Sequence, residues 1–161
     1  MSFGATLVLL DAEVAAEWVD YNGHMNDAAY ALAFSHAGDA WMHRIGLDAD
    51  SRQATGLTLY TLQIMLHYFK EAKLGAPLRV EGQLLEHDAK RARLWMGMRS
   101  PADGPVIAAS EQLYLSVDQR AGARAAPWRP ETMAALDALA SAQSALPMPP
   151  LAGKGISLKR V

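Results

Sequence analysis

The sequence predicts an α+β protein in which one long helix is wrapped by a five- or six-stranded antiparallel sheet. Three observations carry this. Only one long segment has helical spacing of its apolar residues. Four strand-like segments follow it, two of them alternating and two apolar throughout, separated by turn-forming residues. Finally, one helix cannot cover both faces of a sheet that size, so the sheet must curve around it and leave an apolar strip or edge for another subunit.

The first strand is TLVLL, 6–10. From Asn26 the pattern turns helical: Tyr30, Ala33, Phe34, Ala37, Trp41 and Ile45 recur at steps of three and four and share one face. Asn26 suits the N-cap, Asp27 the first turn, His43 and Arg44 the last, and Gly46 the stop, so the helix is expected over 26–45. Gly38 lowers its propensity and implies a close neighbour at that point. DADSRQATG, 48–56, reads as a polar loop. GLTLYTLQIMLHYFK, 56–70, reads as a long strand, with its β-branched and aromatic residues deciding against a helix. PLRVEGQLLEH (77–87), KRARLWMGMRS (90–100) and VIAASEQLYLSVD (106–118) complete four strands joined by tight turns. Segments 57–69 and 106–117 look apolar on both sides.

Two units are expected: a domain over 1–120 and a tail over 121–161. The tail should form a helix over 130–146, opened by Pro130 and Glu131, and a Pro/Gly-rich end docked on its own or a neighbouring subunit.

Composition narrows the function classes. With 15 basic and 17 acidic residues the net charge is -2, so no bulk field recruits nucleic acid or an anionic membrane. Cysteine is absent, which removes disulfide scaffolds and thiolate metal sites. The opening MSFGATLVLLD has no basic region before its short apolar run, so neither a signal peptide nor a membrane span is expected, and a cytoplasmic location follows by default. His24, His36, His43, His67 and His87 form no HExxH pair, no G-x-S-x-G elbow exists, and GKG at 153–155 lacks the rest of a phosphate loop. No metal and no cofactor are expected.

What remains is WVDYNGHMNDAAY, 18–30, which places more polar groups at a helix entrance than a cap can use. A carboxylate such as that of Asp20 can attack an activated acyl carbon or deprotonate a water. Gly23 lets the chain turn sharply. The unpaired N–H groups of the helix's first turn, around Met25 to Ala28, lie at the positive end of the macrodipole and can stabilise an oxyanion, typically at ~3–4 kcal/mol each. Taken alone, the same residues read more often as a turn and a cap than as a reaction site.

W-x-D-x-x-G-H-M-N-x-x-x-Y, here Trp18, Asp20, Gly23, His24, Met25, Asn26 and Tyr30, resembles the signature of hot-dog-fold acyl-CoA thioesterases of the 4-hydroxybenzoyl-CoA thioesterase type. The resemblance covers about 6–118. It implies a hot-dog fold, Asp20 as nucleophile or general base, and backbone amides near Asp27 that polarise the thioester carbonyl. It also implies a homodimer or homotetramer, with the site at a subunit interface and an acyl-CoA as substrate. VDYNGHMND, LEHDAKR (85–91) and EQLYLSVDQRAGARAAP (111–127) are similar to the betainyl-CoA thioesterases of carnitine breakdown. Where that pattern would read YT-x-E-x-H, this chain has Gln63 and Met65, which removes a carboxylate that a cationic acyl group would use.

The candidate site is therefore Asp20 as the catalytic residue. Gly23, His24, Met25, Asn26, Asp27, Tyr60, Gln63, Lys90 and Arg91 are the candidate substrate contacts, the last two as a basic patch open to an anionic ligand. The expected activity is hydrolysis of a small or medium acyl-CoA thioester. The alternatives on the same fold are a non-hydrolytic acyl-CoA binding or regulatory module and an enoyl-CoA hydratase.

Overall fold

The computed structural model describes residues 5–158. Its elements are β1 (Leu7–Glu13), a 3-10 turn (Ala16–Trp18), α1 (Asp27–Arg44), α2 (Ala49–Thr55), β2 (Leu57–Tyr68), β3 (Pro77–His87), β4 (Arg91–Arg99), β5 (Val106–Asp118), β6 (Arg124–Ala125) and α3 (Pro130–Ala142). The strands form one antiparallel sheet in the order β1-β3-β4-β5-β2, with β6 added beside β5.

α1 begins where its cap predicts. The Asn26 side chain accepts a hydrogen bond from the Ala28 N–H, and His43 and Arg44 stand in the last turn, where cations oppose the negative helix end. Its periodic residues Tyr30, Ala33, Phe34, Ala37 and Trp41 are all buried. They meet Val80, Leu84, Leu94, Met96 and Met98 from the inner face of the sheet. Burying a side chain the size of Phe34 contributes ~1.5–3 kcal/mol, so this seam holds the domain together. Gly38 has the neighbour its position implies. A Cβ there would lie 3.0 Å from the Tyr114 hydroxyl, and the Tyr114 ring stacks on Trp41 at 5.1 Å.

Several expectations are corrected. Residues 48–56 are not a loop throughout. Asp48 accepts from the Ser51 N–H, α2 follows, and Gly56 ends it at φ 77, a left-handed conformation that glycine adopts without steric cost. The four later strands are not all joined by tight turns. β2 pairs with β5 at the far edge, so residues 69–76 carry the chain across to β3. Segment 106–117 is not apolar on both sides either. On its inner face the buried Tyr114 hydroxyl donates to Gln112 Oε1 (2.6 Å), and Gln112 Nε2 donates to Ser110 Oγ (3.0 Å). This chain of polar groups is satisfied internally, which removes the cost of burying it. Burial pushes the Tyr114 phenol far above its ordinary range, with Asp39 adding to the shift.

β2 is an edge strand with Tyr60, Leu62, Ile64 and Tyr68 exposed. α3 ends at Ala142 and is fixed beyond that point by Gln143, whose amide stands in for a missing strand. The Leu84 N–H donates to its Oε1 at 2.8 Å, and its Nε2 donates to the Gly82 carbonyl at 3.1 Å. Among the described residues no helix is long and apolar enough to cross a membrane.

Candidate active site at the head of the long helix

Residues 19–25 form a closed loop ahead of α1. Val19 bridges Met25, the Asp20 N–H donates to the His24 carbonyl at 2.9 Å, and the Gly23 N–H donates to the Asp20 carbonyl at 2.9 Å. Gly23 takes φ 75, which is why the loop can close in so few residues. The loop is held from the side by residues 72–73: the Met25 N–H donates to the Ala72 carbonyl (2.7 Å) and His24 bridges Lys73.

Asp20 is half-buried. Its Oδ1 accepts from the Asn22 N–H at 2.8 Å and from the His24 N–H at 3.4 Å, and its other oxygen has no partner among the described residues. One oxygen thus fixes the rotamer and the loop, and the second is left for another task. The first-turn amides are similarly divided. Met25 N–H is used by Ala72, Asn26 N–H donates to the Trp18 carbonyl (2.9 Å), and Ala28 N–H is shared by the side chains of Asn26 and Asp27. The Asp27 N–H alone of these four has no acceptor among the described residues. It lies at the exposed head of an 18-residue helix, where the macrodipole favours negative charge.

His24 is oriented by Glu71, with its Nε2 3.3 Å from Glu71 Oε2. Two tyrosines brace the helix head. Tyr30 donates to the Lys70 carbonyl (3.3 Å) and accepts from the Ala72 N–H (3.1 Å), and Tyr68 donates to the Asp27 carbonyl (3.2 Å). Their rings meet edge to face at 5.4 Å. Burial raises both phenols above their usual range, so both remain proton donors at neutral pH. Tyr68 and Glu71 were missed from the sequence. The strand pattern of β2 gave Tyr68 a place but no partner.

Asp20, Gly23, His24, Asn26 and Asp27 come together at this end of the molecule. Met25 does not join them as a ligand contact, because its side chain is in the core and its amide is spent on Ala72. Tyr60, Gln63, Lys90 and Arg91 also lie elsewhere within one chain. Arg91 pairs with Leu115, and Leu115 with Tyr60. The strand then runs eight residues from Tyr60 to Tyr68, which is roughly 26 Å at 3.3 Å per residue. Arg91 moreover donates to Asp88 (2.8 Å), so its charge is already matched. Gln63 and Arg91 border a cavity of about 570 Å³ on the outer face of the sheet, a cavity that does not include Asp20.

The comparisons with known proteins agree with this architecture. Residues 14–136 match the model of the thioesterase-like superfamily. A betainyl-CoA thioesterase of Pseudomonas aeruginosa is 44% identical over 155 residues, covering 96% of this chain and 97% of the relative. An L-carnitine dehydrogenase/betainyl-CoA thioesterase of Agrobacterium fabrum is 42% identical, and this chain spans 31% of its length. A crystal structure from Pseudomonas putida superposes with a TM-score of 0.83 at 38% identity, covering 97% of this chain and 99% of that one. A Staphylococcus aureus protein solved in complex with CoA superposes at 0.88 with 23% identity, covering 96% and 97%, a likeness of fold. The curled antiparallel sheet around α1 is a hot-dog fold, and the chain belongs to the thioesterase-like superfamily.

Proposed function

We propose that the chain hydrolyses an acyl-CoA thioester at the head of α1, with betainyl-CoA as the substrate that its relatives indicate. The observation that supports this reading is the pairing of two unspent groups there: the second carboxylate oxygen of Asp20 and the N–H of Asp27. The amide holds the carbonyl oxygen as it gains charge. Either the carboxylate takes a proton from the water that attacks the carbonyl carbon, or it attacks that carbon itself to form a mixed anhydride, which water then opens to the free acid and the carboxylate. In both cases the C–S bond breaks and the proton released by the water ends on the departing CoA thiolate.

The site is completed by a second copy of the chain. The exposed edge of β2 offers unpaired backbone groups and the side chains of Leu62 and Ile64 to another β2. Antiparallel pairing of two such edges sets the start of one strand beside the end of the other. The side chains of Tyr60 and Gln63 lie on the outer face, opposite to that of Tyr68, so they take no part at the helix head. The edge-to-face pair of Tyr30 and Tyr68 offers an aromatic surface at the helix head that suits a trimethylammonium group. Lys90 and Arg91 have no role in this arrangement.

One observation favours a second reading, a non-hydrolytic acyl-CoA binder: Asp20 already has a structural task in its own loop. Thiol release from a panel of betainyl-CoA, acetyl-CoA and benzoyl-CoA separates the two. Hydrolysis predicts turnover, with betainyl-CoA fastest. Saturable binding of the panel with no thiol released from any member leaves the binder.

A further inference from the structure

Asp27 brings more charge to the helix head than the cap requires. The Ala28 N–H already has the Asn26 side chain as acceptor at 2.8 Å, and Asp27 Oδ1 shares that same donor at 2.9 Å. Among the described residues the second oxygen of this carboxylate has no partner and no cation pairs with it. Lys70 and Lys73 meet this region through their backbone groups, at the Tyr30 hydroxyl and at His24, and Glu71 is engaged by the His24 ring. The Asp27 side chain is exposed beside Tyr68, which is itself half-exposed and donates its hydroxyl to the Asp27 carbonyl. Burial, and after it the Asp27 charge, raises the Tyr68 phenol, in keeping with a carboxylate and a ring that share one space.

An unmatched carboxylate is a poor neighbour for the proposed chemistry. Covalent geometry keeps its oxygens within about 5 Å of the residue's own amide nitrogen, and that amide is the one left to hold a carbonyl oxygen as it becomes negative. Like charges at that range repel, so with a neutral acyl group Asp27 works against the reaction. A cationic acyl group reverses the sign. In a betainyl thioester the quaternary nitrogen stands two bonds from the carbonyl carbon, about 2.5 Å away. With the carbonyl oxygen about 2.9 Å from the Asp27 nitrogen, the cation comes within roughly 6 Å of that amide. There it meets the carboxylate and the Tyr68 ring together. A quaternary ammonium has no N–H to donate, so it is recognised by charge and by ring faces, the two features present here.

We infer that Asp27 is the residue that selects a cationic acyl group: its N–H holds the carbonyl oxygen while its carboxylate, beside Tyr68, balances the trimethylammonium charge. This inference rests on the reading of the helix head as the site of hydrolysis and adds to it the side chain that decides which substrate is taken. Both poles of a short acyl group then meet one residue. The carboxylate that Gln63 does not supply comes from the first turn of α1 instead of from β2.

The test compares betainyl-CoA with tert-butylacetyl-CoA, in which a carbon replaces the quaternary nitrogen, so the shape is kept and the charge removed. For each thioester kcat/KM is measured with the full-length parent and with Asp27→Asn, whose side-chain oxygen can still accept from the Ala28 N–H. Circular dichroism verifies folding. The parent is expected to favour betainyl-CoA, and the variant to lose at least ~10-fold of that preference, a change of about 1.4 kcal/mol. A loosened helix head would slow both thioesters alike and leave their ratio in place, so a ratio within twofold of the parent's overturns the assignment. A parent that hydrolyses both thioesters at equal kcat/KM also overturns it, while hydrolysis itself stands. A parent that releases thiol from neither overturns the reading of the site, and the selection with it.

Discussion

Asp20 and Asn22 are joined by a 2.8 Å hydrogen bond from the Asn22 N–H to one carboxylate oxygen, a contact that an asparagine side chain at position 20 can also accept. Structure and chemistry can therefore be separated at this residue. Asp20→Asn should leave the unfolding free energy within about 0.5 kcal/mol of the parent, the range of substitutions that break no named interaction. Asp20→Ala removes the acceptor and should cost ~0.5–1.5 kcal/mol, the net worth of such a bond. Urea unfolding of the two variants measures the difference.

Gly38 should not tolerate the substitution that helix propensity favours. Alanine in a helix interior is better than glycine by ~1 kcal/mol, but a Cβ here would stand 3.0 Å from the Tyr114 oxygen. Tyr114 cannot easily yield, since Gln112 holds its hydroxyl and Trp41 its ring. Gly38→Ala is expected to destabilise by ~1–2 kcal/mol through overpacking. In a Tyr114→Phe background the clash is gone, and the same substitution should become neutral or stabilising. A double-mutant cycle in urea reads that reversal as a coupling energy. Equal costs in both backgrounds would refute the contact.

The edge of β3 depends on Gln143. Its carboxamide is buried and serves both the Leu84 N–H and the Gly82 carbonyl. Gln143→Ala leaves these two backbone groups without a partner and should cost ~2–4 kcal/mol, about what two unsatisfied buried groups cost at the lower end of their range. Gln143→Glu keeps an acceptor for Leu84 but loses the donor to Gly82, so it should also destabilise. A variant as stable as the parent would mean that the tail does not close this edge.

Acid should act on the β3–β4 turn. The Arg91 side chain, followed by the Lys90 N–H, holds the Asp88 carboxyl down at about 2, below its usual value of 3.8. A depressed carboxylate contributes stability that is present above its unfolded value and is lost as the pH falls through the folded one. The contribution from Asp88 is thus complete above about pH 4 and gone below about pH 2. Asp88→Asn lacks it at every pH, so the gap between the urea midpoints of parent and variant should narrow as the pH is lowered across that window. Because the pair is substantially exposed, the gap itself should be small. A gap that widens on acidification would contradict the assignment.

How much of this was legible follows from which forces are local. α1 could be read to within a residue because its cap, its period and its stop are all written within the segment. α2 was missed because none of its residues is buried, so it has no apolar face to reveal a period; only Asp48 and Gly56 betrayed it. The position of β2 at the far edge is a long-range property that the four apolar runs do not encode. At the site, Asp20 stood out by chemistry, and the helix head by its cap. Which of the first-turn amides stays free was not readable, since Ala72 and Trp18 decide it from outside the motif. Lys90 and Arg91 looked like an anion patch in sequence. Asp88, two and three residues away, uses both of their backbone amides and the Arg91 side chain.

The most direct test of the proposed chemistry is the rate of thiol release by Asp20→Asn at saturating acyl-CoA, on protein whose unfolding matches the parent. A nucleophile or general base at position 20 predicts a fall in kcat of at least ~100-fold with the loop intact. Turnover within threefold of the parent would show that the carboxylate only shapes the turn, and the reaction centre would have to be sought elsewhere.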